Sequence, residues 1–229
     1  FNVEVEGSTT SSFYGLSATV GYQNRNLFKG VETLNTSVTF GYEYMKAPNT
    51  VKRKANEIGI ASGLAFPRFI LPFELSTRNI NMPRTNIELS FNYQDRPYYR
   101  RDLTRVAWSY SWRSRNGRYS YMFRPLDLNW INVGYMNEEF FNSLHNEYLR
   151  QSYKTQAIVG LSGSYTYNNQ NKNVGGNATL LRANFESAGN LLNLAEHLFS
   201  KKNEQNYYEI LGVRYSQYVR GDISLSRKI

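Results

Sequence analysis

The side chains most able to do chemistry in this chain are few and scattered. Its two histidines, His145 and His197, each stand alone, and there is no cysteine to supply a thiolate. Neither a metal centre nor a disulfide framework is expected from that inventory. Glu43, Glu57, Glu88 and Glu186 occupy polar positions in alternating segments, where two carboxylates across a cleft would be the raw material of acid–base catalysis. Arg113, Arg124 and Arg182 occupy comparable positions and are expected to balance them as solvated charges. Tyr98-Tyr99-Arg100-Arg101 interleaves rings with guanidinium groups, as a single-strand nucleic-acid surface does. It follows Pro97 in a connection, and a loop accounts for it. Glycine-rich phosphate loops, nucleophile elbows and zinc-binding helices do not occur. The expectation is a protein that is not an enzyme, with no cofactor, no metal and no nucleic-acid partner.

The elements that must position these residues are written in the composition. Of 229 residues, 15% are aromatic, including 19 Tyr, while only 41% are hydrophobic. No apolar run approaches the roughly 20 residues of a membrane-spanning helix, which excludes a helical membrane protein. Asn, Ser, Thr, Tyr and Gly abound, as in strand-rich chains. A formal net charge of +9 suits an anionic surface, whether lipid, lipopolysaccharide or nucleic acid, without choosing among them. Lys52-Arg53-Lys54 reads as a solvated loop, able to meet lipopolysaccharide phosphates if it faces outward. Phe1-Asn2-Val3-Glu4-Val5-Glu6 has neither the basic start nor the apolar core of a signal peptide, as expected of a mature or excised segment.

Period-two alternation dominates. Phe1, Val3 and Val5 alternate with Asn2, Glu4 and Glu6. Leu34, Thr36, Val38, Phe40, Tyr42 and Tyr44 face one way, while Asn35, Ser37, Thr39, Gly41 and Glu43 face the other. Similar stripes run through Tyr14–Tyr22, Ile58–Phe66, Ile87–Tyr93, Val106–Trp112, Tyr119–Phe123, Ala157–Tyr167 and Leu181–Phe185, with a looser one from about Tyr207 to Ile229. About ten strands result, several longer than the usual 5–6 residues of soluble sheets. The second face is small and polar, which suits a wet lumen better than a packed core. Tyr14, Tyr22, Tyr42, Tyr44, Tyr93, Tyr165 and Tyr167 lie toward the ends of the stripes, where aromatic girdles fall in outer-membrane barrels. The expected fold is therefore all-β, an antiparallel transmembrane β-barrel. A soluble β-sandwich with one wet face also alternates strictly, but strand length and aromatic placement favour the barrel.

The connections differ in kind. Asn116-Gly117 predicts a two-residue hairpin with both residues at positive φ. Pro67, Pro72 and Pro83 predict a long connection from Pro67 to Thr85, because proline does not sit in a central strand. Residues 137–149 predict a helix capped by Asn137, with Phe140, Leu144 and Tyr148 on one stripe. Residues 190–200 predict another, starting at Asn190. Both read as loop helices resting on the rim of the barrel.

Gly21-Tyr22-Gln23-Asn24-Arg25-Asn26-Leu27-Phe28-Lys29-Gly30-Val31-Glu32, after the glycine-bearing first hairpin Glu6-Gly7-Ser8-Thr9-Thr10-Ser11-Ser12, resembles the start of the barrel in outer-membrane assembly factors of the BamA/TamA type, the bacterial surface antigen family. Ser90–Pro97, Arg124–Asn129 and Ser164–Gln170 are similar to its lipoprotein-like TamL branch. Departures are the missing arginine-glycine-aromatic loop motif, for which Arg220-Gly221-Asp222 in the last strand is no substitute, and the missing terminal aromatic signal.

The resemblance implies that residues 1–229 are the N-terminal portion of a sixteen-stranded barrel in the bacterial outer membrane. Helical loops would lie outside and the connection at 67–85 on the periplasmic side. It implies insertion and folding of other outer-membrane barrels through a lateral seam, with Phe1, Asn2, Val3, Glu4, Val5, Glu6 and Gly7 as the seam strand. The implied partners are lipids and lipopolysaccharide, unfolded client barrels, the remainder of the barrel, periplasmic transport-associated domains and accessory assembly subunits. A passive pore or nutrient-transporter barrel is the alternative function.

Overall fold

The computed structural model describes residues 1–46, 54–72, 80–169, 178–190, 209–210 and 213–228. The strands are β1 (Asn2–Thr9), β2 (Phe13–Asn24), β3 (Thr33–Met45), β4 (Lys54–Phe66), β5 (Ile80–Asp95), β6 (Tyr99–Ser114), β7 (Tyr119–Met136), β8 (Gln156–Asn168), β9 (Ala178–Ala188), β10 (Glu209–Ile210), β11 (Val213–Arg214) and β12 (Tyr218–Lys228). Between β7 and β8 lie two short helices, α1 (Glu138–Ser143) and α2 (Glu147–Ser152). Ten strands form one antiparallel sheet in the order β1-β2-β3-β4-β5-β6-β7-β8-β9-β12, and β10-β11 form a separate small ribbon. The fold is all-β, as the alternation predicts. The ten strands do not close on themselves: among the described residues β1 pairs only with β2, and β12 only with β9.

Register keeps every apolar stripe on one face. Val3 opposes Val20, Val20 opposes Val38, Val38 opposes Ile60, and Ile60 opposes Phe91. Farther along, Leu89 opposes Val106, Val106 opposes Leu128, and Leu128 opposes Val159. A slip of one residue anywhere would turn a whole strand inside out, so this agreement is demanding. The polar face carries Ser37, Thr39, Gly41, Ser109 and Ser111. Its side chains from Asn2 on β1 to Arg105 on β6 line a common cavity of about 740 Å³, so this face is the concave one. The apolar face is convex and exposed, with Leu16, Phe40, Ile60 and Leu89 each roughly half open.

Several sequence expectations are corrected. β5 starts at Ile80, and Pro83 lies inside it at a bulge where pairing skips from Asn81 to Arg84. Pro125 also lies within a strand, in β7, where register shifts between Arg124 and Asp127. A bulge leaves a residue outside the ladder, and there a missing N–H does no harm. Asn116-Gly117 is not a two-residue loop. The connection runs from Arg115 to Arg118, Gly117 alone is at positive φ (72°), and its N–H donates to the Ser114 carbonyl over 2.9 Å. The Asn116 side chain instead accepts from the Arg118 N–H.

The helix expected over 137–149 is broken. Asn137 caps α1, accepting from the Phe140 N–H at 2.9 Å, but Leu144 is extended and ends it. Phe140 stacks on Tyr98 and meets Tyr153 edge-on, so Tyr98 and Tyr99 belong to an aromatic rim cluster under α1. The last strand is β12, shorter than the expected stretch from Tyr207 to Ile229, with Arg220-Gly221-Asp222 inside it. Residues 191–200, including His197, and Lys52 and Arg53 lie outside the described residues. His145 is exposed between α1 and α2.

Candidate functional site

The strand singled out by sequence is an edge. Asn2 to Gly7 lie in β1 and Phe1 immediately precedes it, while β1 itself continues to Thr9. All eight strand residues are exposed; Val3 is 70% and Val5 65% open. The direction of their backbone groups follows from the hairpin. The Thr10 N–H donates to the Phe13 carbonyl at 2.9 Å, and pairing continues without interruption to Asn2 opposite Gly21. Ladder bonding alternates along an antiparallel strand. Asn2, Glu4, Glu6 and Ser8 therefore direct N–H and C=O toward β2. Val3, Val5, Gly7 and Thr9 direct theirs away from the sheet, where no described strand receives them. A row of open donors and acceptors of this kind is a template for another strand.

Behind this edge the concave face is braced by two ionic networks. Arg96, just after β5, makes a two-pronged contact with Glu43 of β3 at 2.6 and 3.3 Å and reaches Glu57 of β4 at 3.5 Å. Asn92 donates to the other oxygen of Glu57 at 2.8 Å. Arg105 of β6 grips Asp127 of β7 through Nε and Nη2 at 2.9 and 3.0 Å, and its Nη1 lies 3.3 Å from Glu88 of β5. Such paired prongs are the stronger form of ion pair. Arg124 joins Asp127 at 3.0 Å, and the Pro125 bulge is the reason: residues three apart on a regular strand point to opposite faces.

These networks correct the expected counter-ions. Glu43, Glu57 and Glu88 are balanced by Arg96 and Arg105. Glu186 accepts from the Tyr218 hydroxyl at 2.6 Å, and Arg124 serves Asp127. Arg113 and Arg182 form no ion pair with these acids among the described residues. Through these contacts the carboxylates tie neighbouring strands together. Among the described residues no three His, Cys, Asp or Glu side chains converge as metal ligands.

Two further features lie at the end of the sheet bearing the β2–β3 and β6–β7 turns. Residues 67–72, within the connection expected from Pro67 to Thr85, fold back onto the convex face. Phe69 sits edge-on against Tyr110 and Trp112, the Tyr110 hydroxyl donates to the Ile70 carbonyl at 2.9 Å, and fully buried Thr85 donates to Arg68 and accepts from Ile70. Beside this strap Trp112, Tyr121, Tyr165, Tyr119 and Tyr167 form a ladder of rings across β6, β7 and β8.

The second feature is the β2–β3 turn, residues 25–32. Glu32 is 3% exposed, and its carboxylate accepts from the Gly30 N–H at 2.9 Å and the Phe28 N–H at 3.3 Å. A side chain at Gly30 would collide with that carboxylate. Asn26 holds the Val31 N–H, which supports a β-branched residue at φ 65°.

The backbone N–H of Glu32 itself, with those of Gly30 and Phe28, holds the carboxyl below its usual range against the opposing effect of burial. A lowered carboxyl supports the turn above its ordinary pKa and releases it as pH falls through the lowered value. Hydrogen exchange at the Phe28 and Gly30 amides should therefore accelerate in acid, below the ordinary glutamate range. In Glu32→Gln it should already be fast at neutral pH and should not show this acid step.

No family model, no curated protein and no solved structure matches this chain.

Proposed function

We propose that the chain is the N-terminal part of a sixteen-stranded outer-membrane barrel of the BamA/TamA type, and that it inserts and folds other outer-membrane barrels by templating their strands on β1. The observation that carries this reading is the exposed edge at Val3, Val5, Gly7 and Thr9, with its backbone groups turned outward. The convex face supports the membrane setting. From Tyr14 to Tyr22 the chain rises about 26 Å along β2, or about 20 Å once the strand is tilted, comparable with the ~25 Å apolar band of such barrels. Val20, Val38 and Ile60 lie in the middle with Phe40 and Phe91, and Tyr14, Tyr22 and Tyr44 lie toward the ends.

In this reading the convex face meets lipid and the concave face a watery lumen. The end with α1 and α2 faces outward, and the turns at 25–32 and 115–118 face the periplasm. Open sheet edges in hydrocarbon leave backbone groups without partners, at several kcal/mol each. Further strands of the barrel, or a client, must therefore cover β1 and β12. Because client strands bring the same backbone groups whatever their sequence, an edge can serve many clients without catalytic chemistry.

The test uses a disulfide. Residues 1–229 have no cysteine, and the pair is placed at Val5 and on the strand that closes against β1 in a full-length barrel otherwise cleared of cysteine. In vesicles, unfolded client should become heat-modifiable barrel faster than in empty vesicles. The disulfide should abolish the gain and reductant should restore it. Full assembly in the locked state would reject templating at this edge. Solute flux that is indifferent to the lock, with no assembly in either state, would favour the passive pore.

A further inference from the structure

Resting on the reading of β1 as a templating edge, we infer that this edge selects its partner by charge. It takes extended segments in which apolar residues alternate with Lys or Arg, the basic side chains lying opposite Glu4 and Glu6. The two faces of β1 are chemically distinct. Val3 and Val5 continue the convex apolar face, while Glu4 and Glu6 project on the concave side. Any added strand must keep its own apolar residues level with Val3 and Val5, since a slip of one residue would put its polar side chains on the lipid side. Its alternate residues then fall beside Glu4 and Glu6.

Nothing within the sheet neutralises these two carboxylates. Their cross-strand partners on β2 are Thr19 and Ser17, and the next positions on β3 are Thr39 and Gly41. Neither glutamate forms an ion pair among the described residues. Of the cations on the concave face, Arg105 is held by Asp127 and Glu88, and Arg96, whose pocket includes Ser17 and Gly41, is held by Glu43 and Glu57. A residue directly opposite each glutamate on an added strand has its Cβ about 4.5–5.5 Å away, close enough for its charge to be felt. Backbone pairing is common to all strands, so these two positions discriminate.

The test uses the protein in vesicles of zwitterionic lipid, where the membrane itself offers no net charge. A photo-reactive residue replaces Gly7, which has open space around it. Three strand peptides are offered that alternate valine with lysine, with glutamine or with glutamate. Two exposed opposite-charge pairs should favour the lysine peptide over the glutamate peptide by about three- to thirty-fold. The preference should shrink in 1 M salt, vanish in Glu4→Gln/Glu6→Gln and reverse in Glu4→Lys/Glu6→Lys. Equal capture of all three peptides by the unaltered edge would overturn charge selection while leaving templating intact. Capture of none, by protein that remains heat-modifiable, would overturn both.

Discussion

Phe40→Arg in the vesicle-embedded protein is expected to lower unfolding free energy by about 2–4 kcal/mol, as for a guanidinium near the middle of the apolar band. Thr39→Arg, one residue away, should change it by less than about 1 kcal/mol. Phe40 projects from the convex face and is 52% exposed, with Ala18 and Ile58 beside it. Thr39 projects into the cavity side, where it shares a 3.1 Å hydrogen bond with Thr19. The asymmetry is diagnostic of the solvent on the convex side. Were that side bathed in water, replacing a half-exposed phenylalanine by arginine would fall within about 0.5 kcal/mol, like most surface changes. Urea titration of the folded protein in vesicles, variant against variant, makes the comparison.

The second large effect concerns proline on β1. Val3→Pro and Val5→Pro remove N–H groups that point away from the sheet, so the chain should still fold. Client assembly should slow by about five- to hundred-fold, the rate equivalent of one lost hydrogen bond at about 1–3 kcal/mol. Val3→Ala and Val5→Ala keep the donor and should slow it far less. Glu4→Pro supplies the control, because its N–H points toward β2. It should destabilise the sheet itself by about 1–3 kcal/mol, seen as earlier loss of heat-modifiable mobility. If the two classes of proline behaved alike in both assays, recognition through the outward backbone groups would be rejected.

How far these features could be read from the residues depends on their range along the chain. Alternation is local, so the stripe Leu34–Tyr44 places β3 and its faces without any knowledge of neighbours. The Asn137 cap is local too. The bulges were illegible because proline in a strand reads as a break, and only pairing on both sides reveals Pro83 and Pro125 as residues outside the ladder. Arg96 is not legible as the partner of Glu43, because the two are distant in sequence and meet only once β3, β4 and β5 are in register. The turn motif at Asn24–Glu32 was visible as a likeness, but its cause was not. The reason is a carboxylate satisfied by backbone N–H groups of its own turn, which a string of letters does not display. The strap at 67–72 likewise needs Tyr110, on a strand reached only after β5, to give it a seat.

One property of the sheet bears on how the chain reaches its structure. From β1 to β9 every strand pairs with the strand next to it in sequence, and only the last step, from β9 to β12, passes over an intervening ribbon. Pairing of sequence neighbours keeps each closing loop short compared with the whole chain, and loop-closure entropy rises with the length spanned. From β1 to β9 this sequential pairing keeps contact order low, which speeds folding of that part of the sheet. The chain can add hairpins one after another in chain order, each leaving a fresh edge for the next. The row of backbone groups that would receive a client is the same kind that each strand from β1 to β8 presents to the strand that follows it.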